Sequence, residues 1–128
     1  MSTGPIVARR TVAVVEDNAD NRLLVGAILE GTYNVVPYPS GQDAILGCHR
    51  SPPDLILLDI SLPGMDGTQV LRALRADAAL AGVPVVALTA DAMTGARDMY
   101  LAMGFDDYIA KPIVHAQDLR DAVDRRLK

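Results

Sequence analysis

Leu55-Ile56-Leu57-Leu58-Asp59 is a run of four apolar side chains closed by a carboxylate, followed by Ile60-Ser61-Leu62-Pro63-Gly64-Met65-Asp66-Gly67. The run does not alternate between apolar and polar residues, so it reads as a parallel strand buried on both faces. Three more runs are read in the same way. Val12 to Val15 ends at Glu16-Asp17, Val83 to Leu88 ends at Thr89, and Phe105 to Ala110 ends at Lys111-Pro112. Between them lie stretches of helical periodicity, so the chain reads as a strand and a helix repeated five times. Such alternation implies a parallel sheet with right-handed crossovers and helices on both faces. The expected fold class is therefore α/β, a doubly wound five-stranded sheet.

Ligands of open α/β sheets bind beyond the carboxyl ends of the strands. Residues far apart in the chain are thus expected to converge on one patch carrying Glu16, Asp17, Asp59, Thr89 and Lys111. Carboxylates, a hydroxyl and an ammonium together can hold a divalent cation beside a nucleophilic carboxylate and neutralise a phosphoryl group placed on it. Taken singly, each residue has a plainer reading. A strand-terminal Asp caps a loop, Glu16-Asp17 is a solvated turn or helix cap, and Lys111 is a surface lysine. The co-occurrence of the clusters favours the chemical reading.

Bulk properties narrow the classes. The 128 residues fit one domain with a real core, and half of them are hydrophobic. No apolar run approaches the ~20 residues that span a bilayer, and Met1 to Arg10 lacks a signal peptide's apolar centre, so the expected location is cytoplasmic. The single cysteine, Cys48, cannot form an internal disulfide. A net charge of −4 argues against direct nucleic-acid binding. Without Cys or His beside the acids, a hard oxygen-seeking ion such as Mg²⁺ is expected rather than zinc.

Helix signals are also present. The first helix is expected near Asn18, with Leu24 and Ile28, and Leu23 and Ala27, at helical spacing. Ser40 with Asp43 and Asp66 with Gln69 have N-cap spacing. Ala92, Ala96, Met99 and Met103 form an expected buried stripe on the fourth helix, with Met93, Met99 and Met103 read as core filler. Ala116, Leu119, Val123 and Leu127 form the stripe of the fifth. The second strand, Tyr33 to Tyr38, contains Pro37 and should lie at a sheet edge.

Val14-Val15-Glu16-Asp17-Asn18, Leu55 to Gly67, Val85-Val86-Ala87-Leu88-Thr89-Ala90 and Asp106-Asp107-Tyr108-Ile109-Ala110-Lys111-Pro112 together resemble the receiver domain of two-component response regulators. The resemblance runs in order from about Thr11 to the C-terminus, leaving residues 1–10 as an N-terminal extension and 11–128 as the domain. It implies the flavodoxin-like (βα)5 fold with strand order 2-1-3-4-5, and Asp59 as phosphoacceptor. It also implies a Mg²⁺ site with Asp17, Asp59 and the Ser61 backbone carbonyl as ligands and Glu16 acting through water. Lys111, Thr89 and Ala90 would bind the phosphoryl group, Thr89 and Tyr108 would form a switch pair, and Pro112 would follow a cis bond. The implied partners are a histidine kinase or histidine phosphotransfer protein and a target at the face of the fourth helix, fifth strand and fifth helix. The chain would be a stand-alone regulator or a receiver from a hybrid kinase, turning over no external substrate. Ser61 and Asp91 would flank the path of hydrolytic water, with a phosphorylated lifetime of minutes.

Two other readings fit less well. An aspartate-nucleophile phosphatase wants a second acid two residues after the first, where this chain has Ser61. A flavodoxin-like flavin binder wants a Ser/Thr-rich phosphate loop where Glu16-Asp17-Asn18-Ala19-Asp20 stands. His49 beside Cys48 is too sparse for a metal site, and His115 sits in no helical bundle of the kind that carries a phosphorylated histidine.

Overall fold

A computed structural model describes residues 9–90, 95–113 and 115–127. The elements alternate: β1 (Thr11–Val15), α1 (Ala19–Leu29), β2 (Asn34–Tyr38), α2 (Gly41–Arg50), β3 (Leu55–Asp59), α3 (Gly67–Ala76), β4 (Val85–Thr89), α4 (Ala96–Met103), β5 (Asp107–Ala110) and α5 (Ala116–Leu127). All four strand pairings are parallel, in the order β2-β1-β3-β4-β5. The winding reverses between β1 and β3, which are direct neighbours.

The apolar runs fail to alternate because both faces of the sheet are covered. Ala13, Val15, Ile56, Leu58, Val85 and Ala87 pack with residues of α2, α3 and α4. Val12, Val14, Leu55, Leu57, Val86 and Leu88 pack with Val25, Leu29, Leu119, Ala122 and Val123 on the other face. Pro37 lies on β2, which pairs with β1 alone, so its missing N–H is lost from no inner ladder.

The caps fall where the sequence placed them. Asn18 Oδ1 accepts from the Asn21 N–H, and Ser40 Oγ from the Asp43 N–H. Asp66 and Gln69 form a reciprocal capping box at the start of α3. That helix begins close against the end of β3: a Cβ on Gly67 would lie 2.8 Å from Ile60 Cα and 3.0 Å from the Asp59 carbonyl oxygen. Only glycine lets α3 start there.

Three expectations about helix faces need correction. On α1 the buried residues are Val25 and Leu29, while Leu23 and Leu24 are exposed. On α4 the buried pair is Ala96 and Tyr100, and Met99 and Met103 face outward instead of filling the core. Ala92, Met93 and Asp91 lie outside the described residues. On α5 the buried face is Leu119, Ala122 and Val123, with Leu127 only partly covered. The strand bounds shift as well, by one residue in β1, β2 and β3 and by two at the starts of β4, which begins at Val85 and includes Thr89, and β5, which begins at Asp107.

Candidate functional site

The carboxyl ends of β1, β3 and β5 bring four ionisable side chains together. Asp59, the last residue of β3, and Glu16, the first residue after β1, are both buried. Strand pairing of Val15 with Leu58 sets them side by side. Lys111, just past β5, reaches across from the opposite side of the switch point. Its Nζ donates to Asp59 Oδ2 at 2.9 Å and to Glu16 Oε1 at 3.1 Å. The Lys111–Pro112 peptide bond is cis.

Further bonds hold the acids in place. The Ser61 N–H donates to Asp59 Oδ1 at 2.9 Å. Asn21, in the first turn of α1, donates from Nδ2 to Glu16 Oε1 at 2.8 Å. Arg22 Nη1 donates to the carbonyl oxygens of Glu16 and Asp17, bracing the loop from below. Asn21 and Arg22 escape a reading by motif, because their partners are one oxygen of a buried acid and two backbone carbonyls.

One carboxylate oxygen from each of Glu16, Asp17 and Asp59 lies within 4.8 Å of the others. Asp17 is exposed while the other two are buried. Glu16 Oε2 is buried with no hydrogen-bond donor beside it among the described residues. Three hard oxygen donors around an orphaned buried carboxylate oxygen suit an oxygen-seeking cation that keeps part of its water shell. The donor set fits a divalent ion of the Mg²⁺ type.

Electrostatics divides the two buried acids. Burial pushes the Glu16 carboxyl up to about 7, and its hydrogen-bonding contact with Asp59 pushes the same way. Burial also works against ionised Asp59, but its contact with Glu16, the Ser61 N–H and the Lys111 ammonium outweigh that and hold it below the usual carboxylate range. Burial disfavours the Lys111 charge too, and the two acids more than restore it. Asp59 is thus the ionised member, and Glu16 the one that holds a proton at mildly acidic pH.

This has a consequence for stability. Glu16 binds its proton more tightly when folded than when unfolded, so stability falls as pH rises from about 4.5 to 7, and the loss persists above. Glu16→Gln should therefore raise the stability of the metal-free protein at pH 8 by about 1–3 kcal/mol and leave it nearly unchanged at pH 4. Urea denaturation at the two pH values, with chelator present, measures the difference. An equal effect at both would contradict the assignment.

Thr89 ends β4 and is buried on the α4 side of the sheet. Its Oγ1 lies 2.8 Å from the Tyr100 hydroxyl of α4. The Tyr100 ring meets Tyr108 at a centroid distance of 5.9 Å and Phe105 edge-on at 6.1 Å. Tyr108 is only partly buried, and Tyr100 touches both it and Thr89. Ala90 follows directly and is exposed.

Another charged group was not singled out from sequence. Asp107, at the start of β5, is buried, and its oxygens take Arg97 of α4 at 3.2 Å and Arg125 of α5 at 3.0 Å. One carboxylate thus ties α4 and α5 across the end of the sheet. His49, set aside above as a metal ligand, pairs instead with Asp77 at 2.6 Å.

The sequence pattern of the "Response regulator receiver domain" matches residues 12–124. The sensor protein GacS of Pseudomonas syringae is 39% identical over 120 residues, which are 89% of this chain and 13% of that protein. The DNA-binding response regulator MtrA of Mycobacterium tuberculosis is 40% identical over 105 residues, 81% of this chain and 45% of MtrA. The chain therefore spans less than half the length of either relative. The solved receiver domain of the sensor histidine kinase PA1611 of Pseudomonas aeruginosa superposes with a TM-score of 0.83 at 35% identity, covering 94% of this chain and 98% of that one. That structure has a magnesium ion coordinated in its active-site cleft. A parallel five-stranded sheet wound 2-1-3-4-5, acids and a lysine meeting at its switch point, and a match over nearly the whole chain lead to one conclusion: the protein belongs to the response regulator receiver domain family.

Proposed function

We propose that residues 11–128 act as a phosphorylation-controlled binding module in which Asp59 accepts a phosphoryl group from a histidine kinase or a histidine phosphotransfer protein. The observation that carries this reading is the meeting of ionised Asp59 with Lys111 at 2.9 Å inside a cluster of three acids. An Asp59 oxygen attacks phosphorus, the P–N bond to the donor imidazole breaks, and an acyl phosphate remains. The Lys111–Asp59 pair must open for this attack, after which the ammonium pairs with an oxygen of the new phosphoryl group. The Thr89 hydroxyl and the Ala90 N–H supply further donors on the other side.

Asp17 and Asp59 are the proposed direct ligands of Mg²⁺, with the Ser61 carbonyl, and Glu16 acts through water. When bound, the ion offsets the mutual repulsion of the acids and the charge arriving with the phosphoryl group. The module turns over no external substrate: the group it receives is lost by hydrolysis from its own side chain. Its proposed setting is cytoplasmic, without direct contact to nucleic acid, as a stand-alone regulator or as the receiver of a larger kinase. No described helix is long and apolar enough to cross a membrane. The output is carried by α4, β5 and α5, through Thr89 and Tyr108.

Two measurements test the reading. Acetyl phosphate with Mg²⁺ should add one hydroxylamine-labile phosphoryl group, seen by intact mass; its absence under conditions that load a control receiver overturns the proposal. Asp17→Ala should weaken Mg²⁺ binding by more than the ~10-fold that loss of a supporting partner costs a metal site, and slow phosphorylation in step. Unchanged affinity by calorimetric titration would remove Asp17 from the ligand set.

A further inference from the structure

We infer that Tyr100 is a positioning residue for the switch, holding the Thr89 hydroxyl on the α4 side of the sheet until Asp59 is modified. The inference rests on the proposed role of Thr89 as a phosphoryl-binding hydroxyl. Its own observation is separate: Thr89 Oγ1 and the Tyr100 hydroxyl lie 2.8 Å apart in a buried setting.

Strand parity explains why the two meet. Thr89 follows Leu88, which faces α1 and α5, so Thr89 shares the face of Ala87. Tyr100 and Ala96 are the buried residues of α4 and pack against that face. A threonine hydroxyl has one proton, and χ1 rotation moves oxygen and proton together. Recruiting this hydroxyl to a phosphoryl oxygen on Asp59 therefore draws it away from Tyr100. The phenol of Tyr100, a residue only 3% exposed, is then left to find a new partner, and a buried polar group without one is costly. Tyr100 is fixed to α4, so the cost falls on the position of that helix. Its ring also touches Tyr108 and Phe105, which carries the displacement to β5. Tyr100 thus joins Thr89 to the same face as Tyr108, and by a direct hydrogen bond.

The test uses beryllium fluoride with Mg²⁺, a non-transferring mimic of the phosphoryl group on a carboxylate. Tyr100→Phe removes only the hydroxyl and keeps both ring contacts. It should bind the mimic about 2- to 10-fold more tightly than wild type, the range set by one net intramolecular hydrogen bond. In a Thr89→Ala background the same change should have no effect, because the partner is already gone. A role in packing alone would persist in that background. Unchanged or weaker binding by Tyr100→Phe overturns the inference, as does an equal effect with and without the Thr89 hydroxyl. The reading of Thr89 has a separate readout. If Thr89→Ala binds the mimic as tightly as wild type and shifts its α4 amide signals to the same extent, Thr89 itself is misassigned. If Thr89→Ala loses affinity while Tyr100→Phe matches wild type, only the Tyr100 inference falls.

Discussion

Asp59→Asn is expected to fold normally and to take up no phosphoryl group. The change replaces a carboxylate oxygen with an amide nitrogen of nearly the same size, so β3 and its neighbours keep their packing. The Asn carbonyl oxygen can still accept from the Ser61 N–H, as Asp59 Oδ1 does at 2.9 Å. The amide NH₂ then takes the place of Oδ2 beside Lys111, and the ammonium keeps Glu16 Oε1 as its acceptor. One negative charge is removed from a crowded acidic cluster, so the metal-free variant should be at least as stable as wild type. Chemistry is lost because an amide is a poor nucleophile. Incorporation from acetyl phosphate should fall by at least ~1,000-fold, within the roughly million-fold that removing its nucleophile costs a hydrolase. Intact mass after a timed incubation reads the rate, and thermal unfolding reads the fold. Loading at the wild-type rate would move the phosphoacceptor elsewhere.

The parts of this fold that could be read from sequence are those where physics leaves one option. Three continuous apolar runs each ending in a polar group permit few arrangements other than buried parallel strands, and the run before Lys111, interrupted by Asp106 and Asp107, completes the pattern. Pro37 placed β2 at an edge because a ladder donor is missing there. Helix faces were harder to read. Between Leu23 and Leu29 nearly every residue of α1 is apolar, so periodicity selects no single stripe, and packing against α5 and β2 decides for Val25 and Leu29. On α4 the methionines drew attention as hydrophobic residues, yet the residue that goes inside is Tyr100, whose hydroxyl finds a partner in Thr89. Tyrosine is buried when its polar tip is satisfied, and that partner lies on another element, invisible to local pattern. Asp107 is similar. In sequence it is the second of two adjacent acids, and only the folded chain brings Arg97 and Arg125 to it. Within the candidate site, the identity of the acids and the lysine was legible, but their unequal proton affinities were not. Those depend on Lys111 lying across both Glu16 and Asp59 and on Asn21 supporting one of them.

Lys111→Met is expected to be the most destabilising change at the site, with a pH dependence that identifies its cause. The Lys111 side chain is 19% exposed, and its ammonium lies against two acids whose side chains are 1% and 3% exposed. Methionine fills much the same volume, so the loss is electrostatic. Removing one partner of a buried pair costs about 3–5 kcal/mol when the remaining charge has no escape. Here a partial escape exists, because Glu16 already holds a proton up to about pH 7. Lys111 lowers the proton affinity of both acids, so deleting it raises both. For Glu16, whose folded value already lies above its unfolded one, the folded state binds more protons than the unfolded one up to a higher pH than before. Stability of the variant therefore falls with rising pH over a wider window than in wild type. The deficit against wild type should be about 2–4 kcal/mol at pH 8 in chelator and distinctly smaller at pH 5. Mg²⁺ should recover part of it at pH 8, as a cation takes over the missing charge, and Glu16→Gln in the same background should recover part of it without metal. Denaturant unfolding at the two pH values, with and without Mg²⁺, supplies all the comparisons. A deficit larger at pH 5 than at pH 8, or none at either, would show that Lys111 does not balance these acids, and its place beside the phosphoryl group would lose its electrostatic basis.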